Sequence, residues 1–517
     1  MNGQRPESSG APRAVVFALD GTDSNCMARY ADSGWLPEMA GLMRKARRAD
    51  LQTLGDLFVP SLWPCAFSGL AVENHGIHAF RPIRSGTLDI VEGSERHVPA
   101  PFWETAVQAG LRVSVLDAPI CAPPPAEAAL DGLRFVEWGS HPQVRAPGSF
   151  PRSLISGIIK RHGLHPWRED NPSATTVEDL SSVQVGLCEA VRTRENIIME
   201  MLEADAPDLL LAAFSELHTA EHQFLNLTAP GHRRFEPAVA AALGEKPLRA
   251  VYEAVDATIS RIVRRLPRET TVIIVCLGGL HVIHGGSTLL HDALRQTGLT
   301  ASKTVQPSLA RRLWRLLPEH VRQAGRRQVP KLVRRSGDGL FWASFDWAAT
   351  RAFSLPWTYD GHLRVNLRGR EPHGIVEPGA ERAALLDEIE TLLRELKIAG
   401  TGKPAVRRIV RPQEVFVGRA TAELPDLLVK WDNDAPIEAI ESPRLGRIEN
   451  RDKGQRGAHS DRGAIFAWGP GVAAGPPISG ARDIDVAPTV LGLLGIAPPA
   501  GQDGRTIRDF LAAGRPA

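Results

Sequence analysis

The chain has 517 residues, of which 43% are hydrophobic and 23% are charged, the proportions of an ordinary globular protein. Its formal net charge of +2 gives no global electrostatic argument for a nucleic-acid partner. The five cysteines are widely separated and include no CxxC pair, which disfavours a disulfide framework and a thiolate zinc site. There is no apolar run of about 18 residues, and the polar N-terminus lacks a signal-peptide pattern. We therefore expect a cytoplasmic protein with no membrane span.

Strand-like and helix-like segments alternate along the first 280 residues, after a tail at 1–12 that is predicted to be disordered. Apolar runs rich in Val, Ile, Leu and Ala predict buried strands at 14–21, 111–119, 207–216 and 270–279. Helical spacing predicts helices at 35–49, 177–204 and 248–266. This alternation predicts an α/β fold with a mostly parallel, doubly wound central sheet.

The remainder of the chain contains two insertions and the closing elements of the fold. Residues 301–340 are predicted to form a basic helical insertion, because nine Arg or Lys residues and one acidic residue lie between Arg311 and Arg335. That segment is either a solvated surface or a binding surface for an acidic partner or anionic lipid. A loop-rich cap region is expected at about 350–400. The later elements are a helix at 381–398, strands at 424–432 and 463–472, and a closing helix at 485–495.

Four residues of metal-ligand type lie near predicted strands and suggest a metal site. They are Asp20, His218, His222 and His459. Ligands of an open α/β sheet bind where the carboxyl ends of the strands converge, so residues far apart in sequence can share one site. On a helix, the spacing of His218 and His222 puts both imidazoles on one face, although such pairs also occur by chance. Asp20 follows a buried strand, where its carboxylate needs a cation or several donors, or it caps the next helix.

The order of several short segments resembles the alkaline phosphatase superfamily, and within it the type I phosphodiesterase/nucleotide pyrophosphatase branch. The similarity covers about residues 13–508. It is carried by the segments FALDGTDSNCMARYADSGWLPEMAGLM, WPCAFSGLAVENHGIHAFRPIRSGT, NLRGREPHGIVEPG, LPDLLVKWD, RGAHSDRG and DVAPTVLGLLG. The resemblance implies an alkaline-phosphatase-like three-layer sandwich over residues 13–510. It also implies a hydrolase that uses two metal ions, usually zinc, with a Thr or Ser nucleophile between them.

Carried over by position, the resemblance implies one metal site built from Asp20, His218, His222 and His459. His218 stands where the family has an aspartate, and the nearby Glu216 is an alternative ligand. Three protein ligands with one open position is the usual pattern of a catalytic zinc site. We therefore expect Zn²⁺, one ion or two, with Mn²⁺ as an alternative.

The second metal site of the family departs from the pattern in this chain. Gly278 and Gly279 stand near the place of the family's Asp-His pair, and neither can bind a metal through a side chain. His281 and His284 are the alternative ligands, or they are ordinary loop histidines. We therefore expect a degenerate second site.

The nucleophile position also departs, because it falls on Val59. A valine cannot attack phosphorus, so Ser61 is the predicted nucleophile, with the more remote Cys65 as an alternative. A third alternative is direct attack by water.

Arg81 and Arg364 are the predicted substrate-binding residues, since guanidinium groups suit a phosphate or sulfate, although each could instead be a solvated surface residue. Together these expectations describe a metal-dependent hydrolase of small phosphate mono- or diesters, or of sulfate esters, and no nucleic-acid polymer as partner. The alternative is a catalytically silent relative that binds an anionic ligand or a protein partner, because a fold does not guarantee the chemistry. A metal-dependent transferase or mutase of the same superfamily is a third hypothesis.

Overall fold

In the computed structural model of the protein, a nine-stranded mixed sheet lies at the centre. The structure describes residues 12–84, 86–91, 97–122, 131–141, 147–167, 174–286, 288–303, 341–356, 358, 360–451 and 457–515. The predicted tail and most of the basic insertion, including Arg311 to Arg335, lie outside these residues.

The strands, in chain order, are β1 (Ala14–Asp20), β2 (Arg47–Gln52), β3 (Val113–Leu116), β4 (Arg134–Val136), β5 (Gly148–Phe150), β6 (Leu209–Phe214), β7 (Thr271–Leu277), β8 (Leu280–His281), β9 (Ala352–Ser354), β10 (Gly361–Val365), β11 (Lys397–Ile398), β12 (Val406–Val410), β13 (Leu427–Trp431), β14 (Ala439–Ser442), β15 (Gly446–Glu449), β16 (Ala458–His459), β17 (Arg462–Trp468) and β18 (Ile478–Arg482).

The helices of the described residues are α1 (Ser24–Asp32), α2 (Pro37–Met43), α3 (Leu62–Ser68), α4 (Val72–His75), α5 (Phe102–Gln108), α6 (Ser153–His162), α7 (Val177–Asp205), α8 (Glu216–Phe224), α9 (Pro237–Leu243), α10 (Lys246–Arg265), α11 (Leu289–Gln296), α12 (Ala380–Arg394), α13 (Pro412–Val415) and α14 (Val486–Leu493). None of the helices that the structure describes is long and apolar enough to cross a membrane. The cytoplasmic location stays a prediction.

The strand order of the central sheet is β18-β2-β17-β7-β1-β6-β3-β4-β5. Strand β1 pairs in parallel with β6 on one side and with β7 on the other, so that Ala14 lies opposite both Leu209 and Thr271. Only β17 and β5 run antiparallel to their neighbours. The prediction of a mixed α/β fold with a large, mostly parallel sheet is therefore confirmed.

Two cores, one on each face of this sheet, explain why β1 is apolar up to its last residue, Asp20. Alternate residues of a strand point to opposite faces. Val15 and Phe17 belong to the core that includes residues of α7 and α10. Val16 and Ala18 belong to the core that includes residues of α5 and α14. A central strand that is covered on both faces has a continuous apolar sequence, which is why β1 could be predicted from the sequence.

Two predicted segments differ from the structure. The helix predicted at 35–49 ends at Met43, and residues 47–52 form β2, which pairs with β17 and β18. The region predicted to be loop-rich contains β9 and β10, which belong to a second sheet with the order β12-β13-β10-β9. The residues of β10 are buried although they include Gly, His and Arg, so neither apolar content nor alternation revealed the strand.

Candidate metal centre

The ends of the central strands converge on a group of histidines beside Asp20. Asp20 is the last residue of β1, and α8, which carries His218 and His222, begins two residues after β6 ends. His459 is the last residue of β16, a strand that pairs with β8 just after β7. The structure therefore brings together all four residues that the sequence predicted as metal ligands.

A fourth histidine, His141, joins this group and was missed in the sequence. We call His141, His218, His222 and His459 the imidazole cluster. The ligand atoms of its first three members lie within 4.8 Å of one another. The ring centroids of His141 and His218 are 4.2 Å apart, and those of His218 and His459 are 4.8 Å apart. The signal in the sequence that could have revealed His141 was its position shortly after β4. That strand is only three residues long and was not predicted.

Asp20 orients His218 within the cluster. His218 Nδ1 lies 2.8 Å from Asp20 Oδ2, and His218 Nε2 lies 3.1 Å from His222 Nε2. The other carboxylate oxygen, Asp20 Oδ1, accepts a hydrogen bond of 2.7 Å from Trp63 Nε1. A carboxylate behind a histidine fixes the ring orientation and tautomer and makes the far nitrogen more basic. In this geometry the Asp20 carboxylate holds the His218 ring, and the roles of Asp20 and His218 as metal ligands stay predictions.

His459 is oriented by a backbone carbonyl in the same manner. Its Nδ1 donates a hydrogen bond of 2.6 Å to the oxygen of Gly278, because a carbonyl can only accept. Burial, and to a smaller extent the neighbouring His222, lower the pKa of His459 to about 3, so that the ring is neutral at neutral pH. Its Nε2 then carries the lone pair that a metal requires. Burial also raises the pKa of Asp20 to about 6, against the hydrogen bond from Trp63.

Two adjoining cavities open beside the cluster. The first reaches His459 and is lined mainly by apolar groups, among them Leu57, Val59 and Phe80. The second has a volume of about 420 Å³, and its lining includes His281, Arg407, Arg408 and Lys430. Both cavities include Asp56, Asp360, Lys430 and Ala458.

Comparison with known families identifies the chain. A sequence model of the type I phosphodiesterase / nucleotide pyrophosphatase family matches residues 14–417. The protein belongs to this family. The resemblance to this family seen in the sequence is thereby confirmed, and with it membership of a family of phosphodiesterase- and pyrophosphatase-type hydrolases. No curated protein sequence gave a significant match.

Two solved structures are similar to the chain at low identity. Murine ectonucleotide pyrophosphatase/phosphodiesterase 5 is 13% identical, with a TM-score of 0.44, and the match covers 96% of this chain and 100% of that one. Phosphonoacetate hydrolase from Sinorhizobium meliloti 1021, solved in complex with phosphonoformate, is 12% identical, with a TM-score of 0.46 and coverage of 94% and 96%.

The turn at 278–279, where the sequence led us to expect a degenerate second metal site, is shaped for glycine. Gly278 has a φ of +74°, which side chains other than glycine rarely adopt. A Cβ atom on Gly279 would lie 2.5 Å from the backbone nitrogen of Asp23. His281 lines the larger cavity, and the ring of His284 lies 6.0 Å from that of His232. Among the described residues, the histidines at 141, 218 and 222 are the one group of three metal-type side chains close enough to hold an ion.

Ser61 and Cys65 are both turned away from the cavities. Ser61 is fully buried in the 3-10 turn Val59–Ser61, and its Oγ donates a hydrogen bond of 2.7 Å to the oxygen of Phe58. Cys65 is also buried, its Sγ lies 3.2 Å from His75 Nε2, and burial raises the pKa of its thiol well above the usual value. Two residues of this turn, Val59 and Pro60, line the cavity next to His459. The nucleophilic role of Ser61 stays a prediction.

Glu216, the alternative ligand, does not point into the cluster. It is bound by Arg194 and His165, and its pKa is lowered to about 2 because these partners outweigh burial. Arg364 is buried in β10, where its guanidinium pairs with Glu371 at 2.9 Å. Arg81 lies half-buried in the loop that follows α4. Substrate binding by Arg81 and Arg364 stays a prediction.

Proposed function

We propose that the protein is a metal-dependent hydrolase of small phosphate mono- or diesters, with sulfate esters as the second ester class, and that it holds one Zn²⁺ ion at the imidazole cluster. The observation that carries this proposal is the 3.1 Å approach of His218 Nε2 to His222 Nε2. Two nitrogens that face each other so closely need a proton or a cation between them. Tetrahedral zinc with Zn–N bonds of about 2.0–2.1 Å separates its ligand nitrogens by ~3.4 Å, which is close to this distance.

The donor set suits zinc better than a harder ion. His141, His218 and His222 would hold the metal, and His459, whose ring lies 4.8 Å from that of His218, would be the fourth ligand. An imidazole-rich site favours zinc over manganese, which prefers carboxylate and water oxygens. When bound, the ion would supply a Lewis acid that polarises the phosphoryl oxygen and offsets the negative charge that develops there. Asp20 and the carbonyl of Gly278 would keep His218 and His459 in the required tautomers.

We propose that water, and not a side chain, attacks phosphorus. Val59 occupies the nucleophile position of the family, and the Ser61 hydroxyl is buried against the Phe58 carbonyl. In this reaction the water oxygen forms a bond to phosphorus, the bond to the leaving oxygen breaks, and a proton passes to the leaving group. The ester would extend from the cluster into the larger cavity, of about 420 Å³, where Arg408 and Lys430 carry charges that suit its anionic part.

The test combines metal content with turnover of three chromogenic esters: bis-p-nitrophenyl phosphate, p-nitrophenyl phosphate and p-nitrophenyl sulfate. We expect about one zinc per chain, from the one cluster described above, and turnover of at least one ester. His222→Ala should lose both metal and turnover, whereas the matched control His281→Ala should keep the metal because His281 lies in the cavity wall. Turnover that survives in His222→Ala would contradict the assignment.

A silent binding protein is the second candidate. It is favoured by Val59 at the nucleophile position and by the glycine turn at 278–279. Wild-type protein that neither binds zinc nor hydrolyses any of the three esters, even after zinc is added, would support this candidate and contradict the hydrolase.

A further inference from the structure

A buried group of charges connects two segments of the imidazole cluster that are far apart in sequence. Arg194 lies in α7, a helix that contributes no residue to the cluster. Its Nη1 lies 3.0 Å from Asp117 Oδ2, and its Nε lies 2.9 Å from Glu216 Oε1. The side chains of all three residues have 0% exposure. One guanidinium therefore holds two carboxylates from different parts of the chain.

Asp117 leads to the loop that carries His141. Its Oδ1 accepts a hydrogen bond of 2.8 Å from the backbone nitrogen of Trp138, and its Oδ2 accepts one of 2.8 Å from the backbone nitrogen of Gly139. The loop lies so close to Arg194 that a Cβ atom on Gly139 would be 2.7 Å from the Nη2 of that residue. His141 follows Gly139 by two residues, so the position of its backbone depends on this contact.

Glu216 leads to the helix that carries the other two histidines. It is the first residue of α8, and it also accepts a contact of 3.0 Å from His165 Nε2. His218 and His222 follow on the same short helix. The rotation and height of that helix are therefore fixed at its N-terminal end by Arg194.

We infer that Arg194 is a positioning residue that sets the distance between His141 and the pair His218 and His222. The inference rests on the proposed metal centre. A buried charge network is a poor source of stability, because desolvation offsets most of the attraction. The planar guanidinium has donors on several sides, so it can bridge two carboxylates in a fixed geometry, which an ammonium cannot. The network touches none of the ligand atoms and acts only through the backbone that carries them.

The test compares Arg194→Lys with Arg134→Lys in the full chain. Arg134 is a matched control, because it is also buried and paired with a carboxylate, Glu104 at 2.6 Å, but on the opposite face of the central sheet. Three measurements are made on each protein: the affinity for Zn²⁺ alone, the visible absorption of the Co²⁺-substituted protein, and hydrogen–deuterium exchange without metal. We expect Arg194→Lys to weaken zinc binding by about 10- to 100-fold, as is typical when a partner behind the ligands is lost.

The expected spectroscopic change is a loss of Co²⁺ absorption intensity in Arg194→Lys, and the expected exchange change is faster exchange in both 138–141 and 216–222. Arg134→Lys should leave both segments and the metal affinity unchanged. Wild-type affinity and spectrum in Arg194→Lys would overturn the inference while leaving the metal centre intact, and so would equal losses in Arg134→Lys. Wild-type protein that does not bind Zn²⁺ would refute the centre and, with it, the positioning role.

Discussion

Replacing Asp20 by Asn gives the sharpest test of how the imidazole cluster is oriented. Both side chains that contact the carboxylate are donors in the proposed state: Trp63 through Nε1–H and His218 through Nδ1–H. The backbone of Gly21 is a further donor to it. A carboxylate accepts from both, but an amide offers one acceptor and one donor. With Asn at this position, the amide NH₂ must therefore point at the N–H of Trp63 or of His218, which leaves two donors in contact. Alternatively, His218 must change its tautomer so that its Nδ1 accepts from the amide. The second outcome places a proton on His218 Nε2 and removes it as a metal ligand.

The size of the effect follows from linkage. Losing a partner behind a metal ligand costs about 10- to 100-fold in metal affinity, which is ~1.4 to 2.7 kcal/mol. At a zinc concentration 100 times the dissociation constant of the wild type, zinc should stabilise the wild type by about 2.7 kcal/mol. The same concentration should stabilise Asp20→Asn by about 1.4 kcal/mol if affinity falls tenfold, and by ~0.4 kcal/mol if it falls a hundredfold.

The assay is urea unfolding of each protein with zinc and with a chelator, so that the difference reports zinc binding alone. Asp23→Asn is the matched control, because Asp23 is a buried neighbour whose carboxylate accepts a 2.8 Å bond from the nitrogen of Cys26, which caps α1, and a 2.7 Å bond from the hydroxyl of Ser460. An amide can keep both bonds, because its oxygen accepts from the nitrogen and a hydroxyl can also accept. Asn caps helices as well as Asp does, so this control should keep the full gain from zinc. An undiminished gain in Asp20→Asn would refute the view that its carboxylate orients His218.

Three further outcomes are expected. Ser61→Ala should keep kcat within about twofold of the wild type and lose roughly 1 kcal/mol of stability with the bond to Phe58, so a large loss of turnover would restore Ser61 as nucleophile. His459→Ala should abolish zinc binding, measured by elemental analysis, and unchanged zinc content would contradict the one-site arrangement. Burial raises the pKa of Glu221 to about 7, so between pH 4.5 and 7 the folded protein without metal holds a proton that the unfolded chain has lost. The free energy of unfolding should therefore fall by about 3 kcal/mol as the pH rises from 4.5 to 7. Glu221→Gln, which still accepts from Tyr252, should remove that slope in chelator-treated protein, and an unchanged slope would assign it to other groups.

The sequence predicted the parts of the site that follow from strand ends. An apolar run covered on both faces marks a central parallel strand, and the carboxyl ends of such strands meet, so Asp20 and the histidines after β6 could be grouped in advance. His141 could not be grouped with them, because β4 has three residues and gives almost no periodic signal. The roles of Asp20 and Glu216 also depended on partners remote in sequence, Trp63 and Arg194. Which oxygen faces which donor is set by packing, and no local pattern encodes it.

The glycine turn at 278–279 shows why a departure from the family pattern need not be a simple loss. The family's Asp-His pair is absent, but the turn that remains places the carbonyl oxygen of Gly278 2.6 Å from His459 Nδ1. A side chain on Gly279 would collide with the backbone of Asp23. The turn in its present conformation therefore leaves no room for a ligand side chain at position 279. In the proposed one-ion centre, the turn that leaves no room for a second ligand pair therefore orients His459. We predict one tightly oriented ion, with His141 among its donors.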